Sequence, residues 1–220
     1  KLKSKDMGVA RPQMSPITNF SNDETLSKYR LAVAANGQYV SYHGGTVASA
    51  MSAINNTVTQ LNFIFERDLG IKVELVDNND QIVFEDSNTD PFEDSTDNMN
   101  AELQSTLDSI IGSENYDVGH IFSGFGSGGN AGGIGVFCND ANKGSAYSAV
   151  ANPSGVSYTN LVAHEMGHQL GANHTFSFRS EGEGVNMEPG SGTTIMSYAG
   201  VAGEDNVTRY ADNYYHNISI

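Results

Sequence analysis

Apolar positions along the chain change period several times, and each change marks an element. Residues 29–35, Tyr-Arg-Leu-Ala-Val-Ala-Ala, alternate toward one apolar face and predict a first strand, ended by Asn36-Gly37. From 46 to 67 the spacing widens to three and four. Val47, Ala50, Met51, Ile54, Val58, Leu61 and Phe65 then fall on one stripe of a long helix, which Gly70 stops. Residues 71–76 predict a second strand, with 81–84 as a short continuation or neighbour. A second helix follows at 101–111, with Leu103, Leu107, Ile110 and Ile111 inward, then a third strand at 116–122. Another strand is expected at 145–152. Pro153 and Gly155 break the chain before a third helix that begins near Tyr158, with Ser157 as its cap. Little regular pattern follows until 207–218, expected to form a last helix packed beneath the third. Residues 1–28 hold no sustained period and are expected to lie extended over the surface. Strands alternating with helices make the fold α/β, with one domain over 29–220.

The third helix carries the chemistry. His164 and His168 are four apart, so both imidazoles project from one helix face toward a shared point. Gly171 can adopt φ > 0 and turn the chain, which lets His174 swing back to the same point. Three neutral imidazoles with an open fourth position are the ligand set of a catalytic zinc. Glu165 adjoins the first ligand, where a carboxylate can take the proton of a water attacking a carbonyl. Two plainer readings compete: an amphipathic core helix whose histidines merely satisfy hydrogen bonds, and a structural zinc. A structural site would close the fourth position with Cys or a further His, and neither stands in this stretch. His120, on the third strand, reads as a packed strand histidine rather than a ligand.

Two other stretches invite a chemical reading. Residues 86–97 alternate oxygen-bearing side chains, as a Ca²⁺ loop does, but lack Gly at the sixth position and have Asp97 at the twelfth; a plain solvated loop is the competing account. The glycine-rich run 123–138 lacks the Gly-x-x-x-x-Gly-Lys-Ser/Thr pattern of a phosphate loop.

Composition narrows the class of partner. A formal net charge of −15 argues against nucleic acid and anionic membranes. No stretch approaches the length of an apolar membrane span, and no signal segment opens the chain. The chain is then either cytosolic or a processed mature form, and for the hydrolytic chemistry read above a secreted monomer with leader and propeptide removed is the expectation. Cys138 is the one cysteine and excludes an internal disulfide. It reads as a small buried apolar residue; a pair to a segment outside this chain and a zinc ligand are the other readings.

The spacing His164-Glu165-x-x-His168-x-x-Gly171-x-x-His174 resembles the elongated zinc motif of the metzincin metallopeptidases. Thr194-Ile195-Met196-Ser197-Tyr198 resembles their Met-turn, whose Met lies beneath the zinc as an apolar floor. Asp117-Val-Gly-His-Ile-Phe, Asn173-His174-Thr175-Phe176 and Glu188-Pro-Gly-Ser-Gly-Thr-Thr-Ile-Met196 are most similar to the adamalysin or reprolysin type, in particular its bacterial secreted members. The likeness covers about residues 29–218.

This resemblance implies a twisted, mostly parallel sheet with one antiparallel edge strand. With two long helices and the active-site helix, the sheet would form an upper lobe over 29–171. A small irregular lower lobe with a C-terminal helix would occupy 172–220. It also implies a zinc endopeptidase acting on proteins or peptides, with His164, His168 and His174 as ligands and Glu165 as base. An extended substrate would lie antiparallel along the edge strand, placed at 132–137, so that Gly132, Gly133, Ile134 and Gly135 contact it. Ala199 and Val201 would line the pocket for the side chain following the cleaved bond. Tyr198 matches the position of a tyrosine that in astacins and serralysins reaches the zinc or the oxyanion; a tyrosine packing the turn is the alternative. Asp6, if it belongs to leftover propeptide, is a candidate latch on the zinc. A noncatalytic zinc-binding interaction module and a zinc hydrolase of non-peptide amides are the rival functions.

Overall fold

The structure, a computed structural model, describes residues 25–181 and 184–219; Asp6 lies outside the described residues. Five strands, β1 (Ser27–Ala35), β2 (Ile71–Leu75), β3 (Val118–Ser123), β4 (Ser127–Asn130) and β5 (Ala146–Val150), form one sheet in the order β2-β1-β3-β5-β4. Four of them run parallel, and β4 pairs antiparallel with β5 at one edge. The helices are α1 (Gly37–Tyr42), α2 (Val47–Leu69), α3 (Met99–Ile110) and α4 (Gly155–Leu170).

β1 explains why the sheet needs helices on both sides. Leu31, Val33 and Ala35 join one core cluster with α2 and α4, while Ala32 and Ala34 join a second cluster with Met99, Leu103 and Leu107 of α3. Residues 31–35 are thus buried on both faces, and the alternation expected there gives way to a continuous apolar run, as befits a central parallel strand. The stripe on α2 packs as expected: Ala50, Ile54, Val58, Leu61 and Phe65 are buried, with Val47 and Met51 at the margin. Thr46 and Ser49 form a reciprocal capping box at its start, and Gly70 ends it at φ 64°.

Several expected elements take another form. Residues 81–84 make no strand. Asn79 Oδ1 accepts from Val33 N–H at 2.8 Å and its Nδ2 donates to the Val33 carbonyl at 2.9 Å. That amide takes the place of a ladder partner, leaving a single bridge between Ala35 and Val83. Asn36, expected only to end β1, caps α1 by accepting from Tyr39 N–H. α4 begins at Gly155 with Ser154, not Ser157, at the cap position.

The tail does pack beneath α4 but not as a helix. Tyr215 donates its hydroxyl to the Ala163 carbonyl at 2.5 Å, and the Ala211 carbonyl accepts from Asn160 Nδ2. Its Asp, Asn, Thr and Tyr residues are weak helix formers, and its backbone bonds instead to Thr193 and Ile195. Cys138, expected to be buried, is exposed at φ 59° in a surface turn.

Asn79→Ala is expected to cost about 1–3 kcal/mol, because it strands the Val33 backbone groups in the core. Urea unfolding of the variant beside the parent measures that loss.

Candidate metal centre and cleft

α4 is stopped by Gly171 at φ 115°, where the Gly171 N–H reaches the His168 carbonyl and the Ala172 N–H the Gly167 carbonyl. The reversal brings His174 back over the helix. Its Nε2 lies 3.1 Å from His164 Nε2 and 3.0 Å from His168 Nε2. Among the described residues these three form the one group of three His, Cys, Asp or Glu that could hold a metal, with ligand atoms within 4.8 Å of one another.

What the other ring nitrogens do decides what this convergence means. His164 Nδ1 lies 2.7 Å from the Ile195 carbonyl, and His168 Nδ1 2.8 Å from the Ala172 carbonyl. A carbonyl only accepts, so both Nδ1 atoms carry the proton and both Nε2 atoms present lone pairs. His174 Nδ1 meets Glu181 Oε2 at 2.7 Å, with the same result. Burial lowers the His164 imidazole to about 3, helped by the neighbouring His168, and lowers His168 to about 4. Both rings are therefore neutral ligands at neutral pH. Three lone pairs aimed at one point repel unless a cation takes them up, and the donor set is the one zinc uses in catalytic sites. The site fits a zinc ion.

Glu165, 6% exposed, faces the same cleft. Burial pushes its carboxyl up to about 8, and a cation at the histidines would draw it back toward the ionised form that a base requires. β4 leaves room for it: a Cβ on Gly129 would stand 2.5 Å from Glu165 Cγ and Oε1.

Met196 is fully buried, its sulfur 2.5 Å from where a Cβ on Gly167 would lie, so the turn carrying it fits beneath α4 between the first two histidines. Glu188 ties this turn to the third histidine. Its buried carboxylate accepts from the Thr175 hydroxyl, from the Thr193 and Thr194 N–H groups at 2.9 and 3.1 Å, and from the Thr194 hydroxyl at 2.6 Å. Burial would raise this carboxyl, but those donors outweigh it and hold it below the usual range. Tyr198 sets its ring edge-on to His174, centroids 4.6 Å apart, and against Phe176 at 4.4 Å.

Two cavities meet at His164, Glu165, Gly129 and Tyr198. One, of about 370 Å³, includes Gly133, Ile134, His168, His174 and Glu181. The other, of about 740 Å³, is walled by Val156, Leu161, Ile195, Ala199, Val201 and Tyr210. Ala199 and Val201 line the larger cavity, and Gly133 and Ile134 border the smaller one.

The edge strand is not at 132–137. Gly132 and Gly135, at φ 69° and 70°, turn the chain out of the strand region, and β4 lies at Ser127–Asn130. The N–H groups of Gly135, Val136 and Phe137 instead satisfy the last carbonyls of α4, at His168 and Gln169. Gly132 and Gly135 line neither cavity. His120 is buried between Gln169 and Ser148, burial lowering it to about 4, and takes no part in the site. The calcium expectation finds no support in residues 86–97. Asp86 accepts from Asn88, Asp90 accepts from Gly37 and Phe92 N–H, and Asp94 accepts from Gln38, so these carboxylates serve as turn caps and braces. Gly129 and Glu181 escaped the sequence reading, since one is a glycine among many and the other sits in a loop without period.

A mostly parallel sheet backed by helices, with a histidine pair on one helix completed by a third histidine past a left-handed glycine, defines a zinc metallopeptidase of metzincin type. The sequence matches the model of metallo-peptidase family M12B, reprolysin-like, over residues 25–220, and the chain belongs to that family. No curated protein matches it. Among solved structures, one titled "Structure of a chaperone-substrate complex" is similar at 12% identity and a TM-score of 0.48, over 88% of this chain and 33% of its own. The chain thus spans about a third of that protein's length. No helix among the described residues is long and apolar enough to cross a membrane.

Gly129→Ala should displace the Glu165 carboxylate while sparing the histidines. The expected result is a fall in turnover of about 10²-fold, the scale of a 1 Å misplacement, with zinc content by elemental analysis unchanged.

Proposed function

We propose that the protein is a zinc-dependent endopeptidase in which Glu165 activates the attacking water. The observation that carries this reading is the convergence of three unprotonated imidazole nitrogens beside a buried carboxylate, all open to one cleft. Zinc, when bound, supplies a Lewis acid that polarises an oxygen and makes water acidic enough to react near neutral pH. The Glu165 carboxylate takes the proton of the attacking water and passes it to the nitrogen of the leaving amine.

Binding follows from the sheet. Among the described residues β4 pairs on one side only, with β5, and its other side offers an edge along which an extended peptide can lie antiparallel. A substrate lying there crosses Gly129, directly over Glu165. The side chain after the cleaved bond enters the larger cavity, whose walls of Val156, Leu161, Ile195 and Val201 favour an apolar group. Met196, buried against Gly167 of α4, would form an apolar floor beneath a zinc held by the three histidines. Tyr198 borders both cavities, where its hydroxyl is a donor for the carbonyl oxygen under attack. A formal net charge of −15 suits a secreted monomer working outside the cell.

Glu165→Ala is expected to retain one zinc and to lose at least about 10²–10⁴-fold in activity, the usual contribution of a general base. Cleavage of casein with and without a chelator, beside zinc analysis, decides it; full activity in that variant overturns the mechanism. Zinc without cleavage of any protein in the parent enzyme would point to a binding module or a hydrolase of other amides. Tyr198→Phe separates the two roles of that ring: a donor to the reacting oxygen costs about 10²–10³-fold in kcat, whereas unchanged turnover assigns Tyr198 to packing.

A further inference from the structure

The three histidines are not held alike. His164 and His168 stand on α4, and their Nδ1 protons go to the backbone carbonyls of Ile195 and Ala172, which no side-chain substitution removes. His174 lies beyond Gly171, outside the helix, and its Nδ1 proton goes to a side chain, Glu181 Oε2 at 2.7 Å. The second oxygen of that carboxylate accepts from Arg179 at 2.8 Å. Arg179 in turn sets its guanidinium 5.3 to 5.4 Å from the rings of Phe176, Phe178 and Tyr198. The loop is tied back where Val185 N–H donates to the His174 carbonyl at 2.9 Å.

A carboxylate differs from a carbonyl in two ways that bear on a metal ligand. It brings a full negative charge to the far side of the imidazole, which makes the opposite nitrogen a stronger donor. It is also only as well placed as the groups that hold it. His164 and His168 need no such help, because helix geometry already aims them.

We infer that Glu181 is a positioning residue for the metal: it sets the orientation and tautomer of His174, and Arg179, braced on the aromatic cluster, sets Glu181. The inference rests on the zinc reading of the site. It assigns Glu181 and Glu165 separate work within one cleft. Among the described residues Glu165 has no ring nitrogen as partner, and it governs rate, while Glu181 governs how tightly the third ligand closes on the ion.

The test is zinc affinity, measured by competition with a chromophoric chelator for the parent, Glu181→Ala and Glu181→Gln, together with the visible spectrum of the cobalt-loaded proteins. Glu181→Ala is expected to bind zinc about 10–100-fold more weakly and to shift the cobalt bands, with the thermal midpoint of the metal-free protein little changed. Glu181→Gln should fall between, since an amide oxygen can accept the same bond without the charge. Equal zinc affinity and an unchanged cobalt spectrum in Glu181→Ala overturn the inference. Should that variant fail to fold, the isosteric Glu181→Gln decides alone, a weakened site supporting the assignment and an unaltered one removing it. A parent protein that takes up no zinc is a different failure, which overturns the zinc reading itself.

Discussion

Three imidazole lone pairs aimed at one point are the constraint on which the rest of this molecule depends. Bringing Nε2 atoms to about 3 Å is unfavourable for neutral rings by themselves, so the protein must hold them there with bonds made elsewhere. It does so through the opposite nitrogens. Each Nδ1–H is engaged by an acceptor that cannot donate in return, two carbonyls and one carboxylate. Burial removes the alternative of protonation, holding His164 and His168 far below the usual imidazole range. A cation is then the favoured partner at the convergence point.

The frame around that point is built to keep these acceptors in place. Ile195, whose carbonyl holds His164, belongs to the turn that carries Met196. Glu188 clamps that turn to the chain after His174 through four donors. Residues 135–137 close the C-terminal carbonyls of α4, and Tyr215 closes Ala163 from below. The sheet contributes rigidity and, at β4, an edge that borders the cleft. β1, buried on both faces, anchors it between α2 with α4 on one side and α3 on the other, while β4, paired with β5 alone among the described residues, passes over Glu165 at the sheet's edge.

Much of this was legible in the order of residues because it rests on local periodicity. The stripe on α2, the helix at 101–111, the strands at 71–76 and 116–122, and the histidine spacing each follow from 3.6-residue or two-residue repeats that need no distant partner. The structure departs from local pattern where a distant group competes for the backbone. Asn79 replaces a strand partner of Val33, and the N–H groups of 135–137 go to α4 instead of to a sheet edge. The tail spends its N–H and carbonyl groups on the turn before Met196 in place of a helix of its own. No local pattern encodes any of these.

By itself the sequence determined that a helix would carry His164 and His168 on one face, that Gly171 would reverse the chain, and that His174 would join them. These are consequences of helix geometry and of one residue's freedom at positive φ. Tertiary structure alone decided which acceptor holds each Nδ1 proton, that β4 passes at Gly129 rather than three residues later, and that Glu181 stands behind His174. Those depend on segments far apart in the chain meeting at hydrogen-bond distance. That meeting is set by packing of the sheet and helices, and no spacing along a single segment records it.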